Sequence, residues 1–169
     1  MKKILMFLVF GIAAFVTYSY TQKKEDTSFK KEALENVMLA SDGSQITFKE
    51  ILKKYKGKTI VMDVWASWCS DCIKGMPKVK ALQAENPDVA YLFISMDKTP
   101  EAWKKSIERF EIQGEHYMAT DGMKGIFGKS INLDWIPRYM VIDKKGKIAL
   151  YRAIEADDTK LIETIKTLK

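Results

Sequence analysis

One stretch constrains this chain more than any other: Thr59-Ile60-Val61-Met62-Asp63-Val64-Trp65 is apolar at nearly every position and runs straight into Ala66-Ser67-Trp68-Cys69-Ser70-Asp71-Cys72. A strand with one wet face alternates apolar and polar residues, so a run this uniform belongs to a central strand covered on both faces. After Cys72 the spacing changes, with Ile73, Met76, Val79 and Leu82 marking one face of a helix that stops at Asn86-Pro87-Asp88. Cys69 therefore stands at a strand-to-helix turn. A fold built around a doubly covered strand must supply helices on both sides of it.

The two cysteines are the only ones in 169 residues, and they are three apart. Residues at that spacing share a helix face at a separation that a disulfide can bridge. A helix N-terminus carries unpaired N–H groups and partial positive charge, which favours a thiolate there. Cys69 comes first and is the candidate attacking sulfur, with Cys72, one turn in, as the resolving thiol. A static bridge closing so small a loop would add little stability. A zinc site takes four ligands as a rule, against two cysteines and the distant His116. The expectation is exchange chemistry with no metal or organic cofactor beyond the Cys69–Cys72 disulfide itself. A metal-delivery module and a non-catalytic interaction module remain as alternatives.

The remaining pattern alternates strands and helices. Val37 to Ala40 and Gln45 to Thr47 read as short strands around the turn Ser41-Asp42-Gly43-Ser44, followed by a helical piece from Phe48 to Tyr55. Val89 to Ser95 is another apolar strand. Thr99-Pro100 opens a helix as N-cap and first residue, with Trp103, Ile107 and Phe110 on its inner face. Gly114 to Leu133 is mixed, with a short helix expected near Met123 to Lys129 and His116 expected at the surface. Tyr139 to Ile142 and Lys147 to Tyr151 flank Asp143-Lys144-Lys145-Gly146 as a hairpin, and Asp157 to Leu168 closes the chain as an amphipathic helix. The order implies a mixed sheet with a parallel crossover.

Met1-Lys2-Lys3 followed by the apolar run Ile4 to Val16 has the form of an export signal or, if retained, an N-terminal membrane anchor. We expect residues 1–20 to serve in that way, residues 21–36 to form a polar linker, and residues 37–169 to form one domain. The net charge of +6 is scattered among acids, which gives a solvated surface and no nucleic-acid stripe. Export would place the dithiol in an oxidising compartment, where its redox state depends on a partner.

These residues resemble the thioredoxin-like superfamily. Val61 to Cys72 is similar to its active-site stretch, Pro77 to the proline within the following helix, and Trp135-Ile136-Pro137-Arg138-Tyr139-Met140-Val141-Ile142-Asp143 to its cis-proline strand. The hairpin before Phe48 and the long insertion from Ser95 to Leu133 resemble the exported TlpA/ResA-like branch. The resemblance implies an α/β thioredoxin fold and a thiol-disulfide oxidoreductase of the cell envelope, tethered to the inner membrane. It further implies protein disulfide substrates and a membrane protein as electron donor. A disulfide isomerase or oxidant of the same fold is the alternative. It assigns Asp63 as the base for Cys72, a role that burial among apolar residues supports by raising a carboxyl's pKa. It makes Ile136-Pro137 a cis bond facing the cysteines, and Trp68 with Ile136 and Pro137 the substrate-docking surface.

Two departures from the family matter. Ser70-Asp71 stands between the cysteines without the usual proline, and a carboxylate in the first turn opposes the thiolate-stabilising field. Ser70 and Asp71 should therefore leave the reduced pair less stable and the protein reducing. Gly75 stands where ResA-like proteins carry an acidic residue. Arg138 follows the proline where a small polar residue is common, and is read as a solvated charge at a strand end.

Overall fold

A computed structural model describes residues 26–169 and arranges them as one seven-stranded mixed sheet. The strands are β1 (Val37–Ala40), β2 (Gln45–Thr47), β3 (Ile60–Trp65), β4 (Ala90–Ser95), β5 (Glu115–Met118), β6 (Arg138–Ile142) and β7 (Ile148–Ala153). Their spatial order is β2-β1-β5-β4-β3-β6-β7. The helices are α1 (Lys31–Leu34), α2 (Phe48–Lys54), α3 (Ser70–Glu85), α4 (Pro100–Phe110), α5 (Ile126–Ser130) and α6 (Thr159–Leu168). Among the described residues no helix is long and apolar enough to cross a membrane.

Strand β3 is the centre of the fold, as its composition demands. It pairs parallel with β4 and antiparallel with β6, and none of its six residues is more than 2% exposed. Each large side chain buried there contributes roughly 1.5–3 kcal/mol of apolar transfer, and only Asp63 breaks the run. The crossover from β3 to β4 is α3, which Cys69 caps and which contains Pro77.

Local chemistry fixes the other element ends where the sequence suggests. Thr47 and Glu50 form a reciprocal capping box at α2, with Thr47 N–H donating to Glu50 Oε2 at 3.0 Å. The Thr99 hydroxyl accepts from Ala102 N–H ahead of Pro100. Asp158 accepts from the N–H groups of Lys160 and Leu161 at the start of α6. Gly43 and Gly146 take positive φ in the two hairpin turns, a region open to glycine at little cost.

The structure corrects three expectations away from the cysteines. The mixed segment after Gly114 contains β5, whose register sets Phe93 of β4 opposite His116. His116 is thus buried, not at the surface. Its ring stacks on Phe93 at 4.9 Å, its Nε2 lies 3.0 Å from the Ile112 carbonyl, and burial holds its pKa below the usual histidine range. The short helix begins at Ile126, three residues later than expected. The third correction concerns the start of the packed unit, which precedes Val37. Ala33 and Phe29 belong to the core, Phe29 meets Phe48 edge-on at 4.9 Å, and Ile148 N–H donates to the Thr27 carbonyl. The expected signal or anchor at residues 1–20 and the first part of the expected linker lie outside the described residues.

Candidate active site

The two cysteines sit where β3 gives way to α3. Cys69 is the N-cap, in extended conformation, and its Sγ accepts a hydrogen bond from the Cys72 N–H at 3.1 Å. The pair is joined as a disulfide with Cα atoms 5.3 Å apart. The sulfurs differ in access. Both are mostly covered, but Cys69, 6% exposed, lines a depression with Trp68, Met123, Trp135 and Ile136, whereas Cys72 is 1% exposed and lines none of it.

A buried carboxylate that sequence reading missed holds the turn in front of Cys69. Asp97, just past β4, accepts from the Ser67 N–H through both oxygens at 3.1 and 3.0 Å, from the Ser67 hydroxyl, and from the Ser95 hydroxyl at 2.7 Å. The signal was present in Ser95-Met96-Asp97, two polar side chains at the end of an apolar strand.

The loop before β6 faces the cysteines. The Ile136–Pro137 peptide is cis, as the resemblance implied, and Cys69 Sγ lies 3.6 Å from the Ile136 carbonyl oxygen. Trp68 and Trp135 are 55% and 57% exposed on either side of that depression, which makes an apolar rim around the accessible sulfur. Trp65, by contrast, is wholly buried. Trp135 and Ile154 were not singled out by sequence, yet both stand exposed beside the site.

Arg138 is the clearest correction. It is 1% exposed rather than a solvated strand-end charge, because β6 lies inside the sheet and carries its side chain inward. Its Nη2 donates to Asp134, which also accepts from Arg152 Nη2 at 2.9 Å, and its guanidinium stands 5.8 Å from the Tyr151 ring centre. The shared carboxylate ties down the loop that presents Trp135, Ile136 and Pro137.

Asp63 lies on the α3 side of the sheet. Its register partner is Tyr139 of β6, and a Cβ placed on Gly75 of α3 would lie 3.7 Å from the Tyr139 hydroxyl, so these residues face one another across the interface. Both Asp63 oxygens are buried without a hydrogen bond inside normal bonding distance. Burial pushes the carboxyl up to about 8, with the nearby Tyr139 hydroxyl pulling weakly the other way. Asp71, in the first turn of α3, is 58% exposed at its side chain and has Lys74 at 3.9 Å, so part of its charge is answered locally. The predicted docking and exchange residues thus converge at one end of the sheet.

Comparison with known proteins agrees with this geometry. Residues 27–168 match the Redoxin family model. The chain is 26% identical over 162 residues to the thiol-disulfide oxidoreductase ResA of Bacillus cereus, covering 94% of this chain and 88% of that protein. It is 21% identical over 180 residues to the thiol:disulfide interchange protein DsbE of Haemophilus influenzae, covering 99% and 94%. The thioredoxin domain of a thiol-disulfide oxidoreductase from Bacteroides vulgatus superposes with a TM-score of 0.65 at 23% identity, over 79% of this chain and 92% of that one, and supports the fold. The chain belongs to the Redoxin family and is a TlpA/ResA-like thiol-disulfide oxidoreductase of the thioredoxin superfamily.

Proposed function

We propose that this protein reduces protein disulfides in the cell envelope, with Cys69 as the attacking sulfur and Cys72 as the resolving one. The observation that carries the reading is the asymmetry of the pair: Cys69 is a helix N-cap that borders an apolar surface depression, and Cys72 is enclosed one turn further in. In the reduced protein the Cys69 thiolate, stabilised by the Cys72 N–H and the helix end, attacks a substrate disulfide. The substrate S–S bond breaks, one substrate thiolate leaves, and a mixed disulfide forms on Cys69. Cys72 gives its proton to Asp63, attacks Cys69, and releases the second substrate thiolate. Two electrons have then passed from the cysteine pair to the substrate.

The surrounding residues have matching parts. Trp68 offers an apolar face to the substrate, and the Ile136 carbonyl beside Cys69 can accept a main-chain N–H from it. Pro137 presents no N–H of its own there. Ser70 and Asp71 set the potential, because the Asp71 carboxylate opposes the field that stabilises the thiolate. The chain's Met1-Lys2-Lys3 and Ile4 to Val16 support export and tethering, which makes a membrane protein the natural donor for re-reduction.

Equilibrating the pair with glutathione tests the reducing assignment. The expected potential lies near that of thioredoxin, about −270 mV. A value near about −120 mV, in the DsbA range, would make the protein an oxidant instead.

A further inference from the structure

Gly75 poses a question that the exchange reaction alone does not answer. It lies in the interior of α3, where glycine costs about 0.5–1 kcal/mol relative to alanine. Its φ is not positive, and a Cβ there would make only ordinary contact with the Tyr139 hydroxyl. Neither backbone conformation nor crowding requires a glycine. What the missing side chain does is leave open a depression lined by Gly75, Pro137, Tyr139, Lys74 and Lys78. Tyr139 forms part of its wall, and Tyr139 is also the register partner of Asp63. The phenol therefore stands between a carboxyl that has no hydrogen-bond partner and a cleft open to water.

We propose that Tyr139 is a positioning residue that relays the proton between Asp63 and water in the depression left open by Gly75. The proposal rests on Asp63 serving as the base for Cys72. When Cys72 attacks Cys69, the thiol proton moves to the Asp63 carboxylate, the Cys69–Cys72 bond forms, and the substrate thiolate leaves with the electron pair. The protonated Asp63, which makes no hydrogen bond to Tyr139 in the oxidised structure, then turns to the Tyr139 oxygen and donates to it as Tyr139 hands its own proton to water, which restores both groups. The charged groups facing this route are Asp71, Lys74 and Lys78 on α3 and Glu155 after β7, with Asp157 beyond. Burial first, and then the charges of Asp63, Asp157 and Glu155, keep the phenol protonated throughout the working range. It can accept and donate without ionising.

The test is the reduced protein mixed with one equivalent of 5,5′-dithiobis(2-nitrobenzoate), which releases thionitrobenzoate twice. The first release reports attack by Cys69 and the second reports resolution by Cys72. In Tyr139→Phe, the ratio of second to first rate should fall about tenfold between about pH 6 and 7, and recover above about pH 9, where the thiol ionises without help. Gly75→Leu, which keeps the hydroxyl but closes the cleft, should show the same loss and the same recovery. A profile superimposable on the wild type would overturn the relay. So would a drop by one factor at every pH, which is what loosened packing alone would produce. If instead the wild type gives no second release, the exchange reading itself has failed.

Discussion

Two buried carboxylates lie on or just past the strands behind this site, and the chain treats them in opposite ways. Asp97 is 1% exposed and fully engaged, accepting from the Ser67 N–H and from two hydroxyls. Asp63 is 2% exposed, with neither oxygen hydrogen-bonded. Burial is the same, so burial alone does not decide what a carboxyl does. Donors around Asp97 make it a brace for the turn that presents Cys69. Their absence around Asp63 leaves a group that burial pushes up to about 8, close to the range in which a thiol gives up its proton.

The largest expected effect follows from that difference. Resolution by Cys72 in Asp63→Asn should slow about a hundredfold near neutral pH, in line with the loss of a positioned base. Single-turnover kinetics of thiolate release measures it, and an unchanged rate would remove Asp63 from the reaction.

The same substitution should stabilise the fold. The folded carboxyl titrates near 8 against an ordinary value of 3.8, so its burial costs nothing below about pH 4. The cost grows as pH rises, by about 1.4 kcal/mol per unit, and levels off past the folded pKa. Urea unfolding of oxidised Asp63→Asn and wild type should therefore coincide near pH 4 and differ by about 4 kcal/mol at pH 7, with the variant the more stable. A gap that is constant with pH would contradict a raised Asp63.

Asp97→Ala should act in the other direction. It leaves the Ser67 N–H and the Ser95 hydroxyl without their acceptor and should cost about 2–3 kcal/mol, seen in denaturant midpoints, while Asp97→Asn retains part of that. The smallest effect belongs to the rim. Trp68→Ala should raise KM for a peptide disulfide by about tenfold with little change in kcat, because it removes docking area and leaves the sulfurs in place.

Elements whose own residues encode them could be read from the sequence. The uniform run at β3, the N-cap at Thr99 and the cysteine spacing all act within a few residues, and each lies where it was expected; the caps at Thr47 and Asp158 are equally local but were not named beforehand. What escaped depends on distant pairing. β5 has only His116-Tyr117-Met118 as its inward-facing run and becomes a strand by pairing with both β4 and β1. His116 looked polar because its neighbours in sequence are, whereas its neighbours in space are Phe93 and a backbone carbonyl. Arg138 looked exposed because nothing nearby in sequence announces that Asp134 also binds Arg152, or that the Tyr151 ring lies close to its guanidinium. Asp63 was legible from composition, but its contrast with Asp97 was not, since the hydrogen bonds that separate them span thirty residues.

The most direct measurement is mass spectrometry of the two single-cysteine variants after exposure to a peptide disulfide. Cys72→Ser should accumulate a stable mixed disulfide on Cys69, while Cys69→Ser, left with the enclosed sulfur, should form none on the same timescale. Equal labelling of both variants, or labelling of Cys72 alone, would contradict the division of labour assigned to the pair.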